Sequence, residues 1–230
     1  CEPTGASFGM VPMSAEFTAE LREITEKHGV ILIFDEVVTG FRCSPGGAQQ
    51  AYGVTPDLTT LAKILSGGLP GGAVAGRQDI LEHLDFERSA ELGREKIQHP
   101  GTFNANPVSA AAGITALKII ETSNACEKAN ASGAWLRGRF NEILEAENVP
   151  WAAYGSFSGV HLFMNPNGDA IRPTDFNPDA VDYGTLKSKR SDLVMKLRLA
   201  TAVNGVDFNN SPGAQASAMH TSEDLELTAD

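Results

Sequence analysis

The chain has 230 residues, 42% hydrophobic and 20% charged, a composition that fits a globular protein and excludes a disordered one. Acidic residues outnumber basic ones by 29 to 18, and the formal net charge of -11 argues against nucleic acid or an anionic membrane surface as a partner. No apolar run approaches the roughly 18 to 20 residues that span a bilayer. The three cysteines, Cys1, Cys43 and Cys126, are too far apart for a disulfide framework or a CxxC metal site, and they suit a reducing, cytoplasmic setting.

The chain opens on Cys1-Glu2-Pro3-Thr4-Gly5, a loop-like stretch without an initiating Met. Ser14 is a good N-cap for a helix over about 15–28, with Glu16 and Glu20 near its start. Phe17, Leu21 and Ile24 give that helix an apolar face, and Gly29 fits its stop. Val30-Ile31-Leu32-Ile33-Phe34 then reads as a strand buried on both faces, ending in Asp35-Glu36. Helix followed by buried strand is the rhythm of an α/β fold. Asp57-Leu58-Thr59-Thr60-Leu61-Ala62-Lys63 is a second strand-like segment, followed by glycines around Ala73-Val74-Ala75.

Asn106 and Pro107 read as N-cap and first residue of a small-residue helix reaching about 121, which should pack closely. A second helix is expected over about 124–147, a strand over 160–164, and a helix over 185–204. These place a boundary near residue 120. Residues 1–120 read as one α/β unit and 121–230 as a smaller α+β unit. Thr221 or Ser222 can cap a last helix, which is only two turns long where the sequence stops. Both ends therefore read as cut, and a longer protein is expected.

In an open α/β sheet the chemistry sits at the carboxyl ends of the strands. Asp35 ends the first strand, and Val37 shares its side if the backbone stays extended. A carboxylate with a branched aliphatic beside it can hold a flat cationic ring. Lys63 ends the second strand-like segment, flanked by Ala62, Ile64 and Leu65, and desolvation there would favour a nucleophilic amine. A nucleophilic amine and a ring carboxylate are what pyridoxal phosphate requires: one to form the Schiff base, the other to keep the pyridine nitrogen protonated. Gly101 and Thr102 offer an open N–H and a hydroxyl to a phosphate oxygen. Each of these has a plainer reading. Asp35 can be a turn former, Lys63 a solvated charge, and the Gly67–Gly72 stretch a simple turn without a P-loop ending. The five histidines show no ligand spacing, so no metal is expected, and His161 reads as core or surface.

Leu32-Ile33-Phe34-Asp35-Glu36-Val37-Val38-Thr39-Gly40-Phe41-Arg42 resembles the signature of class III pyridoxal-phosphate-dependent aminotransferases. Pro56-Asp57-Leu58-Thr59-Thr60-Leu61-Ala62-Lys63 resembles that family's lysine segment. Gly101-Thr102-Phe103-Asn104-Ala105-Asn106-Pro107 resembles its phosphate-contacting turn, and Glu2-Pro3 the start of the loop before the ring-binding strand. Gly46-Gly47-Ala48-Gln49 is most similar to the glutamate-1-semialdehyde aminomutases and their aminotransferase relatives.

The resemblance implies a fold-type I α/β architecture: a large mainly parallel domain, represented by 1–120, and a small C-terminal α+β domain, 121–230. It implies pyridoxal 5'-phosphate as cofactor and Lys63 as the catalytic lysine that binds it. Asp35 would pair with the ring nitrogen, Val37 would cover a ring face, and Gly101 and Thr102 would reach a phosphate. In this family that phosphate usually belongs to the neighbouring subunit of a homodimer. It also implies that a preceding half carries the main phosphate loop and a stacking aromatic. Residues 82–99 are longer and more charged than the aminomutase pattern, which favours transfer of an amino group between an amine or amino acid and a keto acid or aldehyde. The alternatives are the intramolecular transfer of an aminomutase and a catalytically silent homologue. No arginine follows Arg198, which leaves Arg42 or the preceding half to hold any substrate carboxylate.

Overall fold

The computed structural model describes residues 1–209 and 212–230. In chain order its helices are α1 (Ala6–Gly9), α2 (Ala15–Lys27), α3 (Gly47–Tyr52), α4 (Gln78–Leu81), α5 (Phe86–Glu91), α6 (Pro107–Thr122), α7 (Ala125–Ala146), α8 (Tyr183–Lys187), α9 (Ser191–Val203) and α10 (Ser222–Ala229). Its strands are β1 (Ile33–Asp35), β2 (Leu58–Ala62), β3 (Gly72–Gly76), β4 (Ala152–Tyr154), β5 (Gly159–Phe163) and β6 (Gly213–Gln215). The chain divides into two compact units, one of Cys1–Pro3 and Ser14–Ser123, the other of Thr4–Met13 and Asn124–Asp230.

In the first unit β1 and β2 run parallel, with Ile33 opposite Leu58 and Asp35 opposite Thr60. β3 lies antiparallel on the other side of β2, with Leu58 opposite Gly76 and Ala62 opposite Gly72. The expected strand over 30–34 is shorter than its apolar run and is buried on one face only. Phe34 is fully buried, packed with Leu32 and Val54 against Ala19, Leu21 and Tyr52. Val30, Ile31 and Ile33 remain about half exposed. The backbone explains the short length. The Val30 N–H closes the end of α2 on the Thr25 carbonyl, and the Leu32 N–H turns to the Asp57 carboxylate instead of a strand partner.

Ser14 caps α2 through its hydroxyl, which accepts from the Phe17 N–H at 3.1 Å. The packed face of α2 differs from the expected one. Phe17 and Ile24 are exposed, while Thr18 is fully buried. Two polar tethers set this rotation. Thr18 Oγ1 donates to the Pro3 carbonyl at 3.4 Å, outside the helix, and Arg22 reaches Asp57 at 2.9 Å. β3 was not legible as a strand because glycine weakens strand propensity. It forms as the antiparallel neighbour of β2, where Gly76 allows close approach: a Cβ there would lie 2.9 Å from Leu58 Cα.

In the second unit α7 packs on the antiparallel sheet β4-β5-β6. Gly133 makes the approach possible, since a Cβ there would meet the Phe157 carbonyl oxygen at 2.8 Å. Arg137 donates to the Phe157 and Gly159 carbonyls at 2.9 and 2.6 Å. His161 is a core histidine: its Nε2 lies 3.0 Å from the Phe8 carbonyl oxygen, and burial pulls the imidazole below its ordinary pKa. The single helix expected over 185–204 is two helices. Asp182 caps α8, and the chain turns extended at Ser188, where Lys187, Lys189 and Arg190 crowd like charges. Thr221 caps α10 in a reciprocal box with Asp224.

Asp57 binds three elements of the first unit. Its carboxylate accepts from the Leu32 N–H at 2.7 Å and from Arg77 and Arg22 at 2.9 Å each. The Leu32 N–H, and then the guanidiniums, lower its pKa from 3.8 to about 2. A folded-state pKa below the unfolded one stabilises the fold above the unfolded value, and that stabilisation is lost as pH falls through the folded value. Asp57→Asn should therefore cost roughly 2 kcal/mol at neutral pH. The gap to wild type should shrink between about pH 4 and about pH 2. Denaturant melts across that range check it, and a pH-independent gap would contradict it.

Candidate functional site

Because β1 and β2 are parallel neighbours, the residues at their carboxyl ends share one edge of the sheet. Asp35 is the last residue of β1, and Lys63 is the first residue after β2. Lys63 lies three positions beyond Thr60, the register partner of Asp35. Both side chains are exposed. Asp35 alternates with the buried Phe34 and so faces away from the core. Its carboxylate accepts from the Val37 N–H at 3.1 Å and from Thr60 Oγ1 at 3.3 Å.

The extended backbone does not reach Val37. The ladder ends where the Glu36 N–H donates to the Thr60 carbonyl at 3.0 Å. The chain then turns, and the Gly40 N–H returns to the Glu36 carbonyl at 2.9 Å. Val37 therefore stands beside Asp35 through its N–H rather than through strand alternation. Arg42 follows this turn, after Phe41 at φ 58°.

Lys63 opens a 3₁₀ turn, Lys63–Ser66, and holds a left-handed φ of 51°. Such a conformation costs about 1–3 kcal/mol in a non-glycine residue and persists only where its surroundings impose it. They do so here. Ala62 before it is extended and paired in β2, and the turn after it lies under α6. A Cβ on Gly67 would meet the Ala112 carbonyl oxygen at 2.6 Å, and one on Gly113 would meet the Leu65 carbonyl oxygen at 2.5 Å. The close packing expected of this small-residue helix is thus aimed at the turn that sets Lys63. The expected desolvation of Lys63 is absent within this chain, where its neighbours Ala62, Ile64 and Leu65 are only half-buried.

Gly101 and Thr102 lie on a separate exposed turn before α6. The hydrogen bonds there are local: Asn104 N–H to the Gly101 carbonyl, and Asn104 Nδ2 to the His99 carbonyl at 2.9 Å. Asn106 caps α6, accepting from the Val108 and Ser109 N–H groups at 3.0 Å each. The structure brings Asp35, Val37 and Lys63 to one edge, and it shows no bond from Gly101 or Thr102 to them among the described residues. Residues 82–99 are not an open loop. Arg88 and Arg94 both pair with Glu82, and the Ile97 N–H closes on the His83 carbonyl.

Glu36 follows Asp35 directly after β1, and the sequence alone assigns it no role. It is fully buried, and its carboxylate takes four donors: Thr39 Oγ1 at 2.9 Å, Ala48 N–H at 2.6 Å, Gln49 N–H at 3.1 Å and Gln49 Nε2 at 3.0 Å. The signal for it was the acidic pair itself. If Asp35 faces outward from a one-sided strand, the next residue faces inward and must find donors.

Gly113→Ala tests the packing under Lys63. In a free helix this change gains about 1 kcal/mol. Against the Leu65 carbonyl it should instead cost about 1–3 kcal/mol of stability. A thermal melt that moves upward would contradict the close approach.

Comparison with known proteins follows the same lines. Residues 1–203 match the family described as Aminotransferase class-III. A glutamate-1-semialdehyde 2,1-aminomutase of Sulfurihydrogenibium sp. is 34% identical over 99% of this chain and 49% of its own. An omega-transaminase from Sphaerobacter thermophilus superposes with a TM-score of 0.83 at 30% identity, over 100% of this chain and 49% of its own. A structure described as a transaminase with PLP bound superposes with a TM-score of 0.80 at 27% identity, over 99% of this chain and 49% of its own. The chain thus spans about half the length of the relatives it matches.

Proposed function

The chain belongs to the class III aminotransferases, and from that premise we propose that it carries the catalytic lysine and ring carboxylate of a pyridoxal-phosphate-dependent amino-transfer enzyme. The observation that carries the reading is the pairing of β1 with β2, which sets Asp35 and Lys63 on one sheet edge. The donor set fits the cofactor: an anionic carboxylate for a pyridinium nitrogen and a primary amine for an aldehyde. When bound, pyridoxal phosphate supplies an electron sink for the bond broken at the substrate's amine-bearing carbon.

This chain's residues then divide the work. Lys63 binds the cofactor and moves the proton at the substrate's amine-bearing carbon. Asp35 keeps a proton on the ring nitrogen, and the Val37 N–H and Thr60 hydroxyl keep Asp35 in place. Val37 covers a ring face. Gly101 and Thr102 give an N–H and a hydroxyl to a phosphate, across the interface of a homodimer. Residues 1–120 form part of the large cofactor domain and 121–230 the small one. The substrates are a small amine or amino acid and a keto acid or aldehyde, in the cytoplasm. No helix among the described residues is long and apolar enough to cross a membrane.

The second reading is intramolecular transfer, which the aminomutase relatives favour. Residues 82–99, folded and ion-paired in place of a short link, favour transfer between two molecules. A half-reaction decides. The complete protein is mixed with an amine, small molecules are removed, and a separate keto acid or aldehyde is added. Recovery of the starting cofactor spectrum with a new amine product is expected. Turnover of glutamate-1-semialdehyde or its diamino isomer alone would give the isomerase reading.

Two substitutions test the roles. Lys63→Ala should still admit the cofactor and lose turnover, and full turnover with an unchanged cofactor spectrum would end the assignment. Asp35→Asn should lower turnover by about 10² to 10³ with a smaller loss of cofactor affinity. A variant within about tenfold of wild type, near 1.4 kcal/mol of barrier, would make Asp35 a turn former only.

A further inference from the structure

We infer that Glu36, working through Gln49, is a positioning residue that fixes the strand ends bearing Asp35 and Lys63 to one another. The inference rests on the roles proposed above for those two residues. Asp35 and Val37 flank Glu36 in sequence, so the placement of the Glu36 backbone sets both. The side chain points to the hidden side of the sheet and ends among four donors, which fill the lone-pair sites of a carboxylate. All four are dipolar rather than cationic, and two are backbone N–H groups in the first turn of α3. The seat is shaped for this side chain. Gly47 has φ 74°, and a Cβ there would collide with the Glu36 carboxylate.

Gln49 extends the anchor to β2. Its Nε2 lies 3.0 Å from Glu36 Oε1 and 3.2 Å from the hydroxyl of the buried Thr59. Thr59 precedes Thr60, whose hydroxyl donates to Asp35 and whose carbonyl receives the Glu36 N–H. It also lies four residues before Lys63, which directly follows that strand. The end of β1, the start of α3 and the body of β2 are thereby one hydrogen-bonded network behind the exposed site. In front, the Asp35 carboxylate has two hydrogen bonds among the described residues. A shift of the backbone behind it therefore moves the carboxylate, and misplacement by about 1 Å can cost a hundredfold in rate.

The test separates positioning from mere support. Glu36→Gln replaces an acceptor by a donor among donors and can unfold the chain. Gln49→Leu and Thr59→Val cut only the bridge, so they carry the measurement. In the complete, cofactor-loaded protein each should lower kcat of the amine half-reaction by about tenfold to a hundredfold, with KM for the amine little changed. Each should raise the pH midpoint of the bound cofactor's visible absorbance, because a ring nitrogen that holds its proton less firmly opposes a second proton nearby less. The double variant should be no worse than the single ones. In the cofactor-free protein the Glu36 and Val37 amides should exchange hydrogen faster. Lower melting temperatures with kcat within about twofold and an unmoved midpoint would overturn the inference. Asp35→Asn is the control. If it too leaves the midpoint in place, the proposed role of Asp35 fails, and the amide exchange then decides the positioning alone: unchanged exchange refutes it.

Discussion

Two buried carboxylates hold a three-residue strand in register, and the site depends on that register. β1 is too short for its ladder alone to fix where Asp35 stands relative to Lys63. Asp57 grips the entry by accepting the Leu32 N–H, and Glu36 grips the exit through α3 and Gln49. The two anchors use different chemistry. Asp57 is offset by two arginines, so it is a charge pair that acid will weaken. Glu36 is met by amide and hydroxyl dipoles, so directional geometry sets its strength.

The division between the exposed and the hidden is chemically ordered. The groups proposed to react, Asp35 and Lys63, are exposed, while Glu36 and Asp57 behind them are buried. A reactive group must reach its substrate, and its precision must come from a shell that does not move. Lys63 shows this most directly. Its own contacts do not fix it. The paired strand before it and the turn after it, closed under α6 at Gly67 and Gly113, force its left-handed backbone.

Much of this was legible in the sequence, and the remainder was not for definite reasons. Asp35, Lys63 and the capped start of α6 follow from local patterns: an apolar run ending in an acid, a strand-like run ending in a lysine, and Asn-Pro before small residues. The family motifs supplied the roles proposed for these residues. What failed were inferences from apolar spacing alone. The run over 30–34 promised two buried faces, yet only Phe34 and Leu32 found a core. The α2 spacing promised Phe17 and Ile24 inside, yet Thr18 and Arg22 turned the helix with bonds to distant backbone and to Asp57. Periodicity reports which residues are apolar. It does not weigh a buried hydroxyl or an ion pair that joins residues 35 apart.

The exposed apolar face of the first unit bears on the proposed role. Ile33 on β1 and Val74 on β3 flank the central strand β2, and each is nearly half exposed. β3 is exposed along its whole length. A strand rich in glycine and alanine gains little from its own side chains, so its place beside β2 rests on backbone pairing. A sheet in this state is held from behind by polar anchors and carries apolar surface in front. That surface is the same one to which Asp35 turns its carboxylate. In the proposed reading, a partner that covers it would also exclude water from Asp35. Its carboxylate would then act on a ring nitrogen at a lower dielectric, where a single charge has its greatest effect. On that reading, completion of the apolar layer and the electrostatic strength of the proposed site would rise together. The same reading explains why the anchoring network lies on the hidden side, where such a partner would leave it undisturbed.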